Sequence, residues 1–384
     1  MTQKKIFYLI EKNIIFIIYF IYFAFIFTCY YGSNYFFFIK EIEFGYLTGG
    51  DSKRYILGSE KILNLEIPEK KSYLGYMFYI AFFKYLNLNL THIVYSQIFL
   101  TFLSSICIFK ICEKLSSRYG GILSLTLYLF YFPLQIFNFY ILTETIFICS
   151  IIFIIFFLIF FKKRYLPILV FLIIFTISIK PHGILLIPSL FLSIIVWLYL
   201  NNSPKIFWVT IFITCALFYP TISILNIFLA DTNIQSSIAK GWIIWGYEEI
   251  NESNYKIYDK NNDLISLLIF IKNNIYLIIN SFFKKVWFFL ARVRPYYSEI
   301  HNLYIMIFNI IIYSLALIGL FKINSKKKIG VILIYILIVI FTLTTGLTYA
   351  DWDSRFSLYI IPLFFIFAGV GFSKIFNTKK NKPL

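Results

Sequence analysis

Uninterrupted apolar runs, rather than alternating or amphipathic patterns, set the rhythm of this chain, and charged residues gather in the gaps between them. A helix needs about 20 apolar residues to cross a hydrocarbon layer ~30 Å thick. By that measure the runs predict ten spans, at 14–31, 92–111, 121–137, 145–161, 165–179, 183–200, 206–225, 303–321, 329–347 and 356–372. The expected fold class is all-α: one polytopic membrane domain over residues 1–384, with about ten transmembrane helices.

Composition sharpens this picture. Hydrophobic residues make up 60% of the 384 and charged ones 14%, where soluble domains carry about a quarter charged. A soluble globular enzyme is excluded. Alternating the spans from a cytoplasmic N-terminus gives the short loops of one side eighteen basic residues, among them Lys162, Lys163, Arg164 and Lys326 to Lys328, against Glu11 and Glu113 alone. The other side holds the remaining 17 basic and 16 acidic residues. Cationic loops stay inside, so both termini are expected in the cytoplasm and the two-signed loops on the extracytoplasmic face of the plasma membrane. The net charge of +17 is then explained by orientation and does not call for a nucleic-acid partner. The basic start before the first run reads as an uncleaved span rather than a secretory signal, because no small-x-small cleavage site follows. Cys29, Cys107, Cys112, Cys149 and Cys215 sit in or at the end of apolar runs, without the spacing of a disulfide framework or zinc site.

Two outward segments, 32–91 and 226–302, are too long to be mere connectors. Within the first, Tyr73 to Leu86 is apolar but short and carries Lys84, which predicts a helix lying along the interface. In the second, Leu264 to Val293 is interrupted at Lys272, Asn273, Asn274, Lys284 and Lys285, and reads as another interfacial element or as a partial span. No repeat recurs, and ionisable groups concentrate at span ends, unlike an ion pathway through the membrane.

The candidate chemistry is on the outward side. Gly49-Gly50 permits a tight turn before Asp51, which is either a fixed carboxylate at the membrane surface or an N-cap for the helix after it. Glu144 stands in the turn after Tyr140-Ile141-Leu142-Thr143, where the helix dipole favours an acid. Lys70, Lys71, Lys180, Arg292, Arg294 and Arg355 are outward cations at span or helix ends. A lipid phosphate would repay such placement, and so would simple snorkelling of long side chains. His92, His182 and His301 are scattered and give no metal-ligand spacing; a metal requirement is undecided and no cofactor is predicted.

These residues together resemble the C-type glycosyltransferase superfamily, in the branch of protein O-mannosyltransferases and lipid A aminoarabinose transferases. The resemblance rests on Gly50-Asp51 with Tyr55 four later, on Glu69-Lys70-Lys71-Ser72-Tyr73-Leu74-Gly75-Tyr76, on Tyr140 to Glu144, on Ile179-Lys180-Pro181-His182-Gly183 and on Asp353-Ser354-Arg355-Phe356. It implies transfer of a sugar from a polyprenyl-phosphate donor to a lipid, glycan or protein acceptor, with Asp51 and Glu144 catalytic. The carrier phosphate would fall to Lys71 or Lys70, with Lys180, Arg292 or Arg294 and Arg355, and Tyr55 would line the substrate site. The chain has Ser72-Tyr73 where the aminoarabinose enzymes show a proline pair. A flippase or transporter, and a polytopic polysaccharide polymerase, are the competing readings.

Overall fold

A computed structural model describes residues 13–26, 50–201, 208, 226, 238–247, 264–323, 328–351 and 353–377. Its helices are α1 (Asn13–Ile26), α2 (Ser52–Leu63), α3 (Leu74–Tyr85), α4 (Leu90–Leu115), α5 (Arg118–Phe130), α6 (Phe132–Gln135), α7 (Glu144–Ile159), α8 (Leu166–Ile179) and α9 (Leu186–Leu200). They continue as α10 (Leu264–Asn273), α11 (Ile275–Ala291), α12 (Glu299–Lys322), α13 (Ile329–Leu347) and α14 (Ile361–Asn377). Among the described residues β pairing is confined to isolated bridge positions, with Ile244 and Ala350 forming a parallel bridge. The all-helical expectation holds.

Four segments are long and apolar enough to cross a membrane: Leu90–Leu115, Pro181–Leu200, Glu299–Phe321 and Ile329–Leu347. Two bent pairs would raise the number to six. The ten expected from the sequence exceed this for two reasons. Helices α7, α8 and α14 have 16, 14 and 17 residues, or about 21–26 Å of rise, short of a ~30 Å core. Of the run at 206–225 only Trp208 is described, and the run at 14–31 is described only as far as Ile26.

Where the sequence predicts a continuous span over 121–137, the helix breaks. Arg118–Phe130 and Phe132–Asn138 meet at 58° across Tyr131, because Pro133, in the first turn of α6, lacks the N–H that would bond the carbonyl four residues earlier and its ring would strike that carbonyl. The freed polar groups are met from neighbouring helices. Gln135 Nε2 donates to Tyr128 O at 2.7 Å, and Gln97 Nε2 of α4 donates to Asn138 O and Tyr140 O, both at 2.9 Å. Thr101 and Thr145 hydroxyls donate to Asn138 Oδ1 at 2.8 and 3.2 Å. Buried polar groups without partners would cost several kcal/mol in such surroundings, so this web fixes the entry to α7 and hence Glu144.

Helices α10 and α11 meet at 93° at Asn274, whose side chain donates to Phe270 O at 2.9 Å. The interruption at Asn273-Asn274 is thus a break. Lys284 and Lys285 are not one, since both lie inside α11, with Lys285 fully buried. Helix α3 forms where the interfacial element was expected, and 12 residues give it about 18 Å, too short to span. Lys84 near its end pairs with Glu60 of α2 at 2.7 Å. Small residues let the bundle close: a methyl built on Gly319 of α12 or Gly371 of α14 would strike the carbonyl of Phe367 or Leu315, so these helices touch backbone to backbone.

Candidate functional site

The connections before α2, before α7, between α8 and α9, after α11 and before α14 converge at one end of the bundle. Ser52 Oγ donates to Ile141 O at 2.9 Å, tying the start of α2 to the turn before Glu144. Lys180, between α8 and α9, donates to Glu144 Oε1 at 2.9 Å and to the Tyr359 hydroxyl. Arg294 Nη2 donates to Asp351 O at 2.7 Å, drawing in the segment after α11. Among the described residues these five connections therefore meet, and they bring Asp51, Glu144, Lys180, Arg294 and Arg355 into one neighbourhood.

Asp51 stands at the N-cap position of α2 but makes no capping hydrogen bond. Its carboxylate turns instead to two guanidinium groups, Arg54 at 3.3 Å and Arg355 at 3.8 Å. Arg355 opens the 3₁₀ turn Arg355–Tyr359 and is gripped by Asp351, whose Oδ2 accepts from both the Arg355 backbone N–H and Nε at 3.2 Å. Burial works against the Arg355 charge. The carboxylates of Asp351 and Glu144 outweigh it, and the guanidinium is held well above its usual range. Ser354, just before, is buried with a left-handed backbone at φ 60°, a conformation that costs a non-glycine residue about 1 kcal/mol or more.

Exposure divides these carboxylates by what they can do. The Asp51 side chain is 34% accessible, whereas Glu144 and Asp351 are at 4%. Glu144 forms a closed ion pair with Lys180, itself 6% accessible, and the Lys180 ammonium also lies 4.6 Å from the Tyr359 ring centre. Glu144 and Lys180 thereby hold each other, and Lys180 also holds the Tyr359 hydroxyl. Of the carboxylates in this cluster, Asp51 is partly accessible and Asp353 is exposed. Loss of water around its carboxyl, then the nearby Asp351 charge, raise the Asp353 pKa against the pull of Arg355 and Arg294.

The outward cations behave differently from one another. Arg294 spends its guanidinium on carbonyls, with Nη1 donating to Phe288 O and Val293 O at 2.7 and 2.8 Å. Arg292 ends α11 in a left-handed conformation at φ 60°. It is buried, with its guanidinium 5.1 Å from the Tyr131 ring centre, a cation–π contact. Among the described residues no carboxylate pairs with Arg292, and its Nε is buried without a hydrogen-bond partner. Burial pushes its pKa down to about 10, so it stays charged at neutral pH.

The structure does not bring every expected residue to this place. Tyr55 is buried against the rings of Tyr73 and Tyr76, both at 5.2 Å, and serves as packing between α2 and α3. Lys70 precedes and Lys71 begins the 3₁₀ turn that leads into α3, with Lys71 exposed and in no ion pair among the described residues. Arg54, Asp351 and Tyr359 are residues that sequence reasoning missed. Asp351 had a signal: it lies four residues before Arg355, a spacing that pairs opposite charges across one helical turn. Among the described residues no group of His, Cys, Asp and Glu is arranged to hold a metal. Compared with known proteins, the chain matches no family model and no curated protein.

Proposed function

We propose that this end of the bundle is the extracytoplasmic active site of a membrane glycosyltransferase that takes a sugar from a polyprenyl-phosphate carrier. The observation that carries the reading is the division of labour among the charges: an accessible Asp51 braced by two arginines, and, after α11 at the same end of the bundle, a buried Arg292 lacking a counter-ion among the described residues. A sugar bound through phosphate already has a good leaving group. The protein has to place an acceptor hydroxyl, take its proton and meet the charge that develops on the phosphate.

In this mechanism the acceptor oxygen bonds to the anomeric carbon while the bond from that carbon to the phosphate oxygen breaks. Asp51 takes the hydroxyl proton, and Arg54 and Arg355 hold its carboxylate in line. The bonding pair leaves with the phosphate, whose charge Arg292 meets. Attack opposite the leaving group inverts the anomeric centre. Glu144, assigned from the resemblance as a second catalytic acid, acts here as a positioning residue: through Lys180 and Tyr359 it holds the turn that carries Arg355. The sidedness and the ten-span count belong to this reading, since four to six spans are what length and composition support.

The test is release of polyprenyl phosphate from a set of polyprenyl-phosphate sugars by the purified chain. Wild type should release it, and Asp51→Asn should lower the rate about 10²- to 10⁴-fold while staying folded. Near-normal turnover by Asp51→Asn removes the base, and a site that needs Arg292 but not Asp51 would favour the polymerase.

A further inference from the structure

Beside the charged cluster runs a set of aromatic rings that the transfer chemistry does not use. The segment Lys240-Gly241-Trp242-Ile243-Ile244-Trp245-Gly246-Tyr247 is zipped onto the strand-like stretch ahead of Asp351: Trp245 N donates to Ala350 O at 2.8 Å and Ala350 N donates to Ile243 O at 2.9 Å. A tight turn follows, with Tyr247 N donating to Ile244 O at 3.1 Å and Gly246 at φ 76°. Trp242 and Trp245 meet edge to face at 5.8 Å, and Tyr247, Tyr296, Tyr297 and His301 continue as successive contacts of 5.5, 5.2 and 4.5 Å. The Lys240 ammonium covers Trp242 at 4.5 Å, which leaves Trp245, 45% exposed, as the open ring.

Rings at a membrane end have an ordinary use as interfacial anchors. Their surroundings argue otherwise here. The bridge fixes Trp245 one residue's pairing away from Asp351, and the exposed Asp353 follows two residues later. Carboxylates are poor neighbours for anionic lipid headgroups. They suit a ligand that is rich in hydroxyl donors and also offers flat C–H faces to a π-surface. A pyranose has both properties, and the few polar groups beside an apolar wall are the usual makeup of a small-molecule site.

We propose that the Trp242 to Tyr247 segment, with Asp353, is a saccharide subsite that seats a glycan acceptor next to Asp51. The assignment rests on the glycosyltransferase reading and narrows its acceptor from lipid, glycan or protein to a saccharide.

The experiment uses the full chain in lipid nanodiscs and follows tryptophan emission during titration with uncharged tetrasaccharides, chitotetraose and maltotetraose. Emission should change saturably with at least one of them, and Trp245→Ala should weaken the response about ten-fold, the loss expected of one stacking aromatic. No response to either sugar in the wild type, or the same response in Trp245→Ala, overturns the subsite. Bromolipid quenching of the emission contributed by Trp245, with no sugar response, would make the segment a membrane anchor and likewise overturn it. Because the titration needs no turnover, sugar binding without release of carrier phosphate would sink the transferase reading and leave the subsite standing. Where transfer does proceed, the Trp245→Ala loss should fall in the acceptor KM rather than in kcat.

Discussion

Lys180 and Arg292 are both buried cations at the same end of the bundle, and they differ in what faces them. Lys180 has Glu144 at 2.9 Å and the Tyr359 hydroxyl; Arg292 has an aromatic face and, among the described residues, no carboxylate. A buried charge that is paired belongs to the architecture, because removing either partner strands the other. A buried charge that is not paired costs the folded state free energy, and a ligand of opposite sign is the natural compensation. One end of the bundle thus holds one buried cation with a carboxylate partner and one with none among the described residues.

The comparison breaks most readily at the pair. Lys180→Met should destabilise the chain by about 3–5 kcal/mol, and Lys180→Met with Glu144→Leu should recover most of that, as seen when a whole buried pair is made apolar. Chemical unfolding in detergent measures both. A single variant as stable as wild type would mean that the pair is not structural. Arg292→Met predicts the opposite signature: unchanged or higher stability, with affinity for polyprenyl phosphate down about ten-fold or more. Loss of stability on the scale of Lys180→Met would remove the distinction between the two cations.

Arg355→Lys gives a smaller effect. It keeps the charge near Asp51 but loses the planar fork that Asp351 grips, and about 1 kcal/mol of stability with a several-fold fall in turnover is expected. The smallest effect is pH-dependent. The Asp353 pKa is raised in the folded chain, so the stability it contributes is present below its unfolded value and is lost as pH rises through the folded one. Asp353→Asn should therefore raise the thermal midpoint slightly at neutral pH and leave it unchanged in acid. A variant that is less stable at neutral pH would show that Arg355 and Arg294 outweigh burial there.

How much of this was legible in the sequence follows from distance along the chain. The apolar runs announced the helices, and the short polar-flanked run at 73–86 announced α3, because span length is a local property. What escaped was pairing. Glu144 and Lys180 are 36 residues apart, and nothing local says that they hold each other. Asp51 has the sequence of an N-cap, yet two arginines, one of them 304 positions later, compete for its carboxylate. Pro133 was visible, but that Gln97, a helix away, would meet the carbonyls of Asn138 and Tyr140 where the broken helix ends was not.

The central claim is that Arg292 is held in reserve for the carrier's phosphate. Thermal unfolding of the wild type, Arg292→Met and Arg355→Lys with increasing polyprenyl phosphate tests it directly, since a ligand that binds the folded state raises the midpoint with concentration. The account predicts a rising midpoint for the wild type and Arg355→Lys, and a flat one for Arg292→Met. An equal rise in Arg292→Met would contradict it.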